Sequence, residues 1–180
     1  MMVVKLVPHR LEYAQTIFTL STDPPVKEAL GLKTETVEET MSFVRHMIEE
    51  EEKGNSISRV ILNGEDEVVG VTTLKNINYE QKRCHIGSWL GYSYWGKGYN
   101  QEAKKAILKI AFKDLDLEHV FTGANKANIR SCKALEKLPY LTLNVESQFP
   151  EEYETVKHEI KQACVLHMID KKHFLDWLYE

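Results

Sequence analysis

The chain has 180 residues, of which 43% are hydrophobic and 28% are charged, and its formal net charge is −4. This length and composition are typical of one globular domain, so we expect residues 1–180 to form a single domain. The mild acidity supplies no basic face, and no apolar run approaches the length of a membrane span. We therefore expect neither nucleic acid nor a membrane as a partner.

The three cysteines, Cys84, Cys132 and Cys164, are odd in number and widely spaced. This pattern argues against a disulfide framework and fits a reducing compartment. Lys5 interrupts the opening apolar residues too early for a signal peptide, so we predict a cytoplasmic protein. The histidines form no i, i+4 pair accompanied by a glutamate, and we predict no metal.

The first 55 residues predict one strand followed by three helices, because their apolar residues change from a strand-like run to helical spacing. Pro25 is well placed to open a helix, and Thr36 with Glu39 three residues on has the pattern of a capping box. The predicted elements are a strand over Val3–Val7 that Pro8 ends, helices over Arg10–Leu20 and Pro25–Leu30, and a helix from Thr36 that Gly54-Asn55 ends.

After this point the apolar period changes from 3.6 to 2. Three strands are predicted, over Ile57–Leu62, Val68–Leu74 and Cys84–Leu90. Turn residues at 63–66 and 76–81 join them, so these strands should be antiparallel neighbours.

The second half alternates helices and strands. A helix over Tyr99–Phe112 connects two strands as a crossover, so those strands should be parallel and can splay open. The predicted fold class is α/β in the α+β sense, a mixed and mostly antiparallel sheet of about seven strands flanked by helices. The further elements are strands over His119–Gly123, Tyr140–Val145 and Ala163–Ile169, helices over Asn128–Leu138 and Lys171–Tyr179, and a polar loop with a short helix over Glu146–Lys161.

The segment Leu90–Tyr99 places Gly96 and Gly98 between a strand and the start of a helix. Glycine lets the backbone turn tightly and approach a ligand, and a helix start offers free N–H groups and a positive dipole end. The segment is therefore either an ordinary glycine-rich turn or a seat for a phosphate or pyrophosphate. The P-loop and dinucleotide patterns do not match, because no Lys-Ser or Lys-Thr follows Gly98 and Gln101 replaces the third glycine.

Two motifs together resemble a known family. The first comprises His85–Leu90, Tyr94–Tyr99 and Glu102–Ala103, and the second comprises Asn128–Ser131 and Leu135–Leu138. They resemble the acetyl-CoA-binding core of the GNAT N-acyltransferases, and within them the ribosomal-protein N-terminal acetyltransferase (RimJ/RimL-like) branch. The likeness extends from position 3 to about position 140 and is weaker from position 163 onward.

The resemblance implies acetyl-CoA as the cosubstrate, held at the splayed parallel pair. In this family the backbone N–H groups of the glycine loop bind the CoA pyrophosphate, and the pantetheine arm pairs with the end of the preceding strand. A backbone N–H there polarises the thioester carbonyl. The implied cofactor-binding residues are Trp89, Leu90, Gly91, Tyr94, Trp95, Gly96, Lys97, Gly98, Tyr99, Asn128 and Ser131.

The catalytic residues depart from the family pattern. Relatives often place a glutamate base where this chain has His85, and a histidine, whose ordinary pKa is about 6.5, suits the same role. The alternative is that His85 fills a half-buried strand position. Other branches use a tyrosine where this chain has Leu135, so Ser131 is the next candidate, through contact with the CoA sulfur. Its alternative role is to cap the helix start.

The resemblance implies an N-acetyltransferase that moves an acetyl group from acetyl-CoA to a primary amine, in a protein N-terminus or a small molecule. The amine attacks directly in a ternary complex, and the partners are therefore acetyl-CoA and an amine acceptor. The alternative is a non-catalytic acyl-CoA-binding or sensor protein of the same fold. The sequence sets neither the acceptor nor the oligomeric state.

Overall fold

The computed structural model describes residues 2–180 and forms one seven-stranded sheet with strand order β1-β2-β3-β4-β5-β7-β6. The strands are β1 (Val4–Pro8), β2 (Ile57–Asn63), β3 (Val68–Asn78), β4 (Arg83–Leu90), β5 (His119–Asn125), β6 (Leu141–Thr142) and β7 (Cys164–Asp170). The helices are α1 (Ala14–Thr22), α2 (Pro24–Leu30), α3 (Val37–Glu52), α4 (Tyr99–Lys109), α5 (Ile129–Glu136), α6 (Pro150–Ile160) and α7 (Lys171–Leu178).

The parallel pair of β4 and β5 is short and then opens. Only three residue pairs join the two strands, and the last of them is His85 with Phe121. Beyond this point β4 stays paired with β3 as far as Leu90, and β5 stays paired with β7 as far as Asn125. Each strand is thus held on its outer side while the inner edges separate. The predicted mixed sheet and its parallel crossover pair are confirmed.

The alternation along β4 divides its side chains between the two faces of the sheet. Cys84 and Ile86 join the largest core cluster with residues of α4, α5 and α7. His85 points to the other face, where its pairing partner Phe121 belongs to the core beneath α6. Helices α1 and α3 cover the same face over β2 and β3. His85 therefore lies where the sheet opens and α6 begins to cover it.

Two sequence predictions near the C-terminus need correction. The strand predicted over Tyr140–Val145 is confined to β6, because Asn144 adopts a left-handed conformation with φ 55° and interrupts the extended chain. The polar segment Glu146–Lys161 contains more than a short helix, since α6 has 11 residues. Its first-turn Pro150 and acidic residues favour a helix start.

Glycine allows α6 to pack closely on β5. A Cβ at Gly123 would lie 2.4 Å from Cγ1 of Val156, on the buried side of α6. The absence of a side chain at this position lets the helix approach the strand, and this approach sets where the first turn of α6 meets β4.

Neither a spanning helix nor a disulfide occurs in the part of the chain that the structure describes. No helix within residues 2–180 is both long and apolar enough to cross a bilayer. The three cysteines are free.

A row of hydrogen-bonded polar side chains, largely buried, lies on the sheet at β2 and β3. Nε2 of His9 lies 2.8 Å from Oγ of Ser58, which lies 2.8 Å from Oγ1 of Thr73. Burial, assisted by the positive charge of Arg59, lowers the pKa of His9 to about 4. The imidazole is therefore neutral in the folded protein at a pH where an unfolded chain would protonate it.

This shift predicts an acid-dependent loss of stability. As the pH falls from 6.5 to about 4, the unfolded chain takes up a proton at His9 and the folded protein does not, so the free energy of unfolding falls by about 2 to 3 kcal/mol. His9→Gln, which keeps a donor for Ser58, should remove this part of the slope. Urea unfolding at several pH values measures it, and parallel curves for the two proteins would contradict the prediction.

Candidate functional site

The loop that leaves β4 requires its glycines. A Cβ at Gly91 would lie 2.7 Å from Cδ2 of Leu20 in α1, so this position is held close to the helix. Gly96 and Gly98 have φ values of 72° and 93°, in the region that favours glycine. The loop is therefore a specific backbone conformation that other residues would strain.

The loop leads directly into α4, whose N-terminus has no side-chain cap. Gly98 is the N-cap residue of α4, and no side chain caps this helix. The first N–H groups of α4 have no acceptor within the helix, and they lie at the positive end of its dipole. Exposed Lys97 adds a positive charge beside them. Such an arrangement fits the oxygen atoms of a phosphate.

Trp95 joins this loop to the second motif. Its indole Nε1 donates a hydrogen bond to the carbonyl oxygen of Leu90, at 2.9 Å. The guanidinium carbon of Arg130 lies 3.8 Å from the centre of the Trp95 ring, a cation–π contact. Arg130 stands in the first turn of α5, so the structure brings the two sequence motifs together across the opened strands.

Asn128 starts α5. Its Oδ1 accepts a hydrogen bond from the backbone N–H of Ser131, at 3.1 Å. The alternative in which Ser131 caps the helix is therefore wrong, because Asn128 is the cap. The Ser131 hydroxyl makes no hydrogen bond within residues 2–180 and is half-buried. Leu135 is buried in the core, where it offers no proton donor.

His85 is paired with a residue that the sequence did not single out. The imidazole is 3% exposed, and its Nε2 lies 2.5 Å from Oε2 of Glu152 in α6. Arg83 lies 3.6 Å from the other carboxylate oxygen. The hydrogen bond from His85, together with the nearby positive charge of Arg83, holds the pKa of Glu152 below its usual value despite partial burial.

The pairing fixes which imidazole nitrogen carries the proton. An ionised carboxylate can only accept, so Nε2 of His85 carries the hydrogen and donates it to Glu152. The lone pair then belongs to Nδ1, which makes no hydrogen bond within the described residues. A histidine held in one tautomer by a carboxylate is suited to take a proton at its free nitrogen.

The sequence did carry a signal for Glu152. Glu152, Val156 and Glu159 lie at i, i+4 and i+7, the spacing of one helical face. The structure places Val156 in the core, and Glu159 accepts hydrogen bonds from Lys75 at 2.7 Å and Asn76 at 3.2 Å. The acidic positions of this face are thus the ones that dock α6 on β3 and β4.

A second cleft lies on the other side of the glycine loop and has a volume of about 540 Å³. Two of its lining side chains are carboxylates, and none of its lining residues comes from β5 or α5. It therefore disfavours a phosphate and is separate from the opened strands. Its lining residues are Met2, Val3, Asn63, Gly64, Glu65, Glu67, Tyr94, Lys97 and Tyr99.

No group of three or more histidine, cysteine, aspartate or glutamate side chains within residues 2–180 is arranged to hold a metal ion.

The family model for the acetyltransferase (GNAT) domain matches residues 4–140. The uncharacterized N-acetyltransferase p20 of Bacillus licheniformis is 29% identical over 136 residues, which cover 72% of this chain and 74% of that protein. The solved structure of RimL, a ribosomal L7/L12 alpha-N-protein acetyltransferase in complex with coenzyme A, is similar with a TM-score of 0.70 and 19% identity, over 78% of this chain and 81% of that one.

A chimera of the spermidine N-acetyltransferase SpeG from Vibrio cholerae and hSSAT has the same fold. Its TM-score is 0.72 and its identity 15%, over 96% of this chain and 98% of that chain. At 15% identity this likeness shows a shared fold. The structural match covers more of the chain than the family model does, and it includes the C-terminal elements after residue 140.

The bond from Trp95 to Leu90 predicts a specific loss of stability. Trp95→Phe keeps an aromatic ring for Arg130 but leaves the Leu90 carbonyl without its partner. The free energy of unfolding should fall by about 1 kcal/mol more than in Trp177→Phe, a matched change in α7. Urea unfolding measures both values, and equal stabilities of the two variants would show that the indole bond contributes nothing.

Proposed function

The chain belongs to the GNAT acetyltransferase family, and on that premise we propose that it transfers the acetyl group of acetyl-CoA to a primary amine. The observation that carries this proposal is the His85–Glu152 pair at the last position where β4 pairs with β5, where the sheet opens. It supplies a base at the point from which the strands separate.

The opened edge of β4 supports acetyl-CoA binding. Past His85 the backbone groups of β4 on the side of β5 have no strand partner among residues 2–180, so a pantetheine arm can pair there like an added strand. At the far end, the backbone N–H groups of Tyr94–Tyr99 would hold the pyrophosphate, as in the family. The RimL structure contains coenzyme A, which supports the same class of ligand here.

The chemistry needs an uncharged amine, because an ammonium group has no lone pair to attack the thioester carbonyl. Nδ1 of His85 accepts the proton of the incoming amine, directly or through one water. Glu152 keeps the imidazole in the required tautomer and stabilises the positive charge that it acquires. A backbone N–H of Trp89–Gly91 polarises the carbonyl as the oxyanion develops.

The departing thiolate needs a proton or a hydrogen bond. Ser131 is the candidate donor, because its hydroxyl has no partner within residues 2–180 and it stands at the start of α5, beside the opening. Asn128 contributes its unoccupied amide N–H₂ toward the cosubstrate while its oxygen caps the helix.

The acceptor is a primary amine of a protein N-terminus or of a small molecule. RimL and SpeG are named for acceptors of these two kinds, and both groups react as amines. We place the activity in the cytoplasm and in one domain that comprises residues 1–180.

Substitution of the pair tests the proposed base. In an assay of thiol release from acetyl-CoA over a panel of amines and N-terminal peptides, His85→Gln should lower kcat by about 10²- to 10⁴-fold and abolish the rise of the rate with pH. Glu152→Gln should lower it less, because the hydrogen bond survives and the charge does not. Glu154→Gln, on the exposed side of α6, serves as the control and should match the wild type.

Two outcomes would contradict this assignment. If His85→Gln has the rate and pH profile of the wild type, His85 is not the base and its role is structural. Acetyl-CoA binding without thiol release for any acceptor of the panel would favour the acyl-CoA-binding or sensor alternative, which the leucine at position 135 also fits.

The glycine loop allows a matched test of cosubstrate binding. Gly96 and Gly31 both have positive φ, at 72° and 62°, and neither would meet another atom within 4 Å through an added Cβ. Alanine at either position should therefore cost about 1 kcal/mol of stability. Only Gly96→Ala should weaken acetyl-CoA binding, measured by calorimetry, because it displaces the N–H groups. Equal affinities of the two variants for acetyl-CoA would show that the loop does not bind the pyrophosphate.

A further inference from the structure

Lys104 is a buried cation without a partner. It lies in the second turn of α4, is 6% exposed, and forms no hydrogen bond or ion pair with any residue of the described chain 2–180. Burial alone lowers its pKa to about 8. An unpaired ammonium in such a position destabilises the folded protein unless a partner from outside the chain completes it.

The helical spacing shows where Lys104 points. Leu108, four residues on and therefore on the same face, shares a core cluster with Ile86 of β4 and Val120 of β5. This face therefore lies against the sheet, beside the opening between β4 and β5. Lys104 stands one turn nearer to the glycine loop than Leu108 does, and long helical side chains lean toward the helix N-terminus.

A second unsatisfied group lies on the same face. Oδ1 of Asn100, four residues before Lys104, is buried and has no hydrogen-bond partner among the residues that the structure describes. Buried polar atoms in folded proteins are nearly always bonded, so the orphaned oxygen of Asn100, one helical turn from the Lys104 side chain, indicates a ligand that the described residues do not supply. One of the two is a donor with a positive charge, and the other is an acceptor.

We propose that Lys104 binds the pyrophosphate of acyl-CoA from the side opposite the glycine loop, while Asn100 Oδ1 accepts an N–H or O–H of the pantetheine arm. The inference rests on the proposed function, since it assumes that acyl-CoA enters the opened strands. The free N–H groups at the start of α4 and the Lys104 ammonium then hold the same anion from two sides, as a charge-assisted site requires.

Other charges near the opening do not account for the state of Lys104. The charged side chains of the neighbouring segments are Lys97 of the loop, Glu102, Lys105 and Lys109 of α4, and Arg130, Lys133 and Glu136 of α5. None of them shifts the pKa of Lys104, which burial alone lowers. A change in its protonation on ligand binding would therefore report the ligand.

Calorimetric titration with acetyl-CoA tests the assignment. At pH 7, Lys104→Met should weaken binding by about 10- to 100-fold, because a hydrogen bond between two charged groups is lost. Lys104→Arg should retain most of the affinity. Lys109→Met, the same change on the exposed side of α4, should bind like the wild type.

The pH dependence provides a readout that a structural role would not move. Above pH 8 the free protein loses the Lys104 proton, whereas the phosphate retains it in the complex, so the wild-type affinity should fall as the pH rises to 9.5. This fall should be absent in Lys104→Met. The melting temperature of free Lys104→Met should equal or exceed that of the wild type, because a buried charge has been removed.

S-acetylpantetheine, which lacks the pyrophosphate, separates the two parts of the cosubstrate. Its rate of use should be the same in the wild type and in Lys104→Met. Wild-type acetyl-CoA affinity and pH dependence in Lys104→Met would overturn the assignment, and so would an equal loss with both cosubstrates. If the wild type itself binds no acetyl-CoA, the proposed function is wrong. If the wild type and Lys104→Met bind acetyl-CoA equally well, only the role of Lys104 is wrong.

Discussion

The short parallel pairing of β4 with β5 is the constraint on which the rest of the site depends. Three residue pairs hold the strands together, and each strand then continues with support only from its outer neighbour. A longer pairing would bury the inner edge of β4 and leave no room for a cosubstrate. A shorter one would let the strands separate before His85, which would then be paired with β3 alone. The proposed base therefore stands at the boundary between a rigid sheet and an open cleft.

Polar groups are satisfied differently on the two sides of this boundary. On the α6 side, Glu152 and Glu159 pair with His85, Arg83 and Lys75, which fix the helix and the imidazole. On the α4 side, the first N–H groups of the helix and the Lys104 ammonium lack partners within the described part of the chain. Unsatisfied groups cost stability unless a ligand completes them, so a ligand bound at the start of α4 should stabilise the folded protein.

Much of this arrangement could be predicted from the sequence, and the physical reason differs by element. Gly96 and Gly98 were identifiable because few other residues tolerate a positive φ, and the parallel pair followed from the crossover helix. The strand predicted over Tyr140–Val145 was too long, since the left-handed Asn144 interrupts it. Glu152 was missed because its helical spacing marks the inner face of α6 but does not reveal the contact with His85, 67 positions away in the chain.

A crystal structure of the acetyl-CoA complex tests the proposed site most directly. We expect the pyrophosphate on the N–H groups of Gly96–Tyr99 and within reach of Lys104, the pantetheine arm along the inner edge of β4, and the thioester on the side of His85. Acetyl-CoA bound elsewhere, such as in the acidic cleft beside Glu65 and Glu67, or β4 and β5 paired along their full length in the complex, would contradict the proposed site.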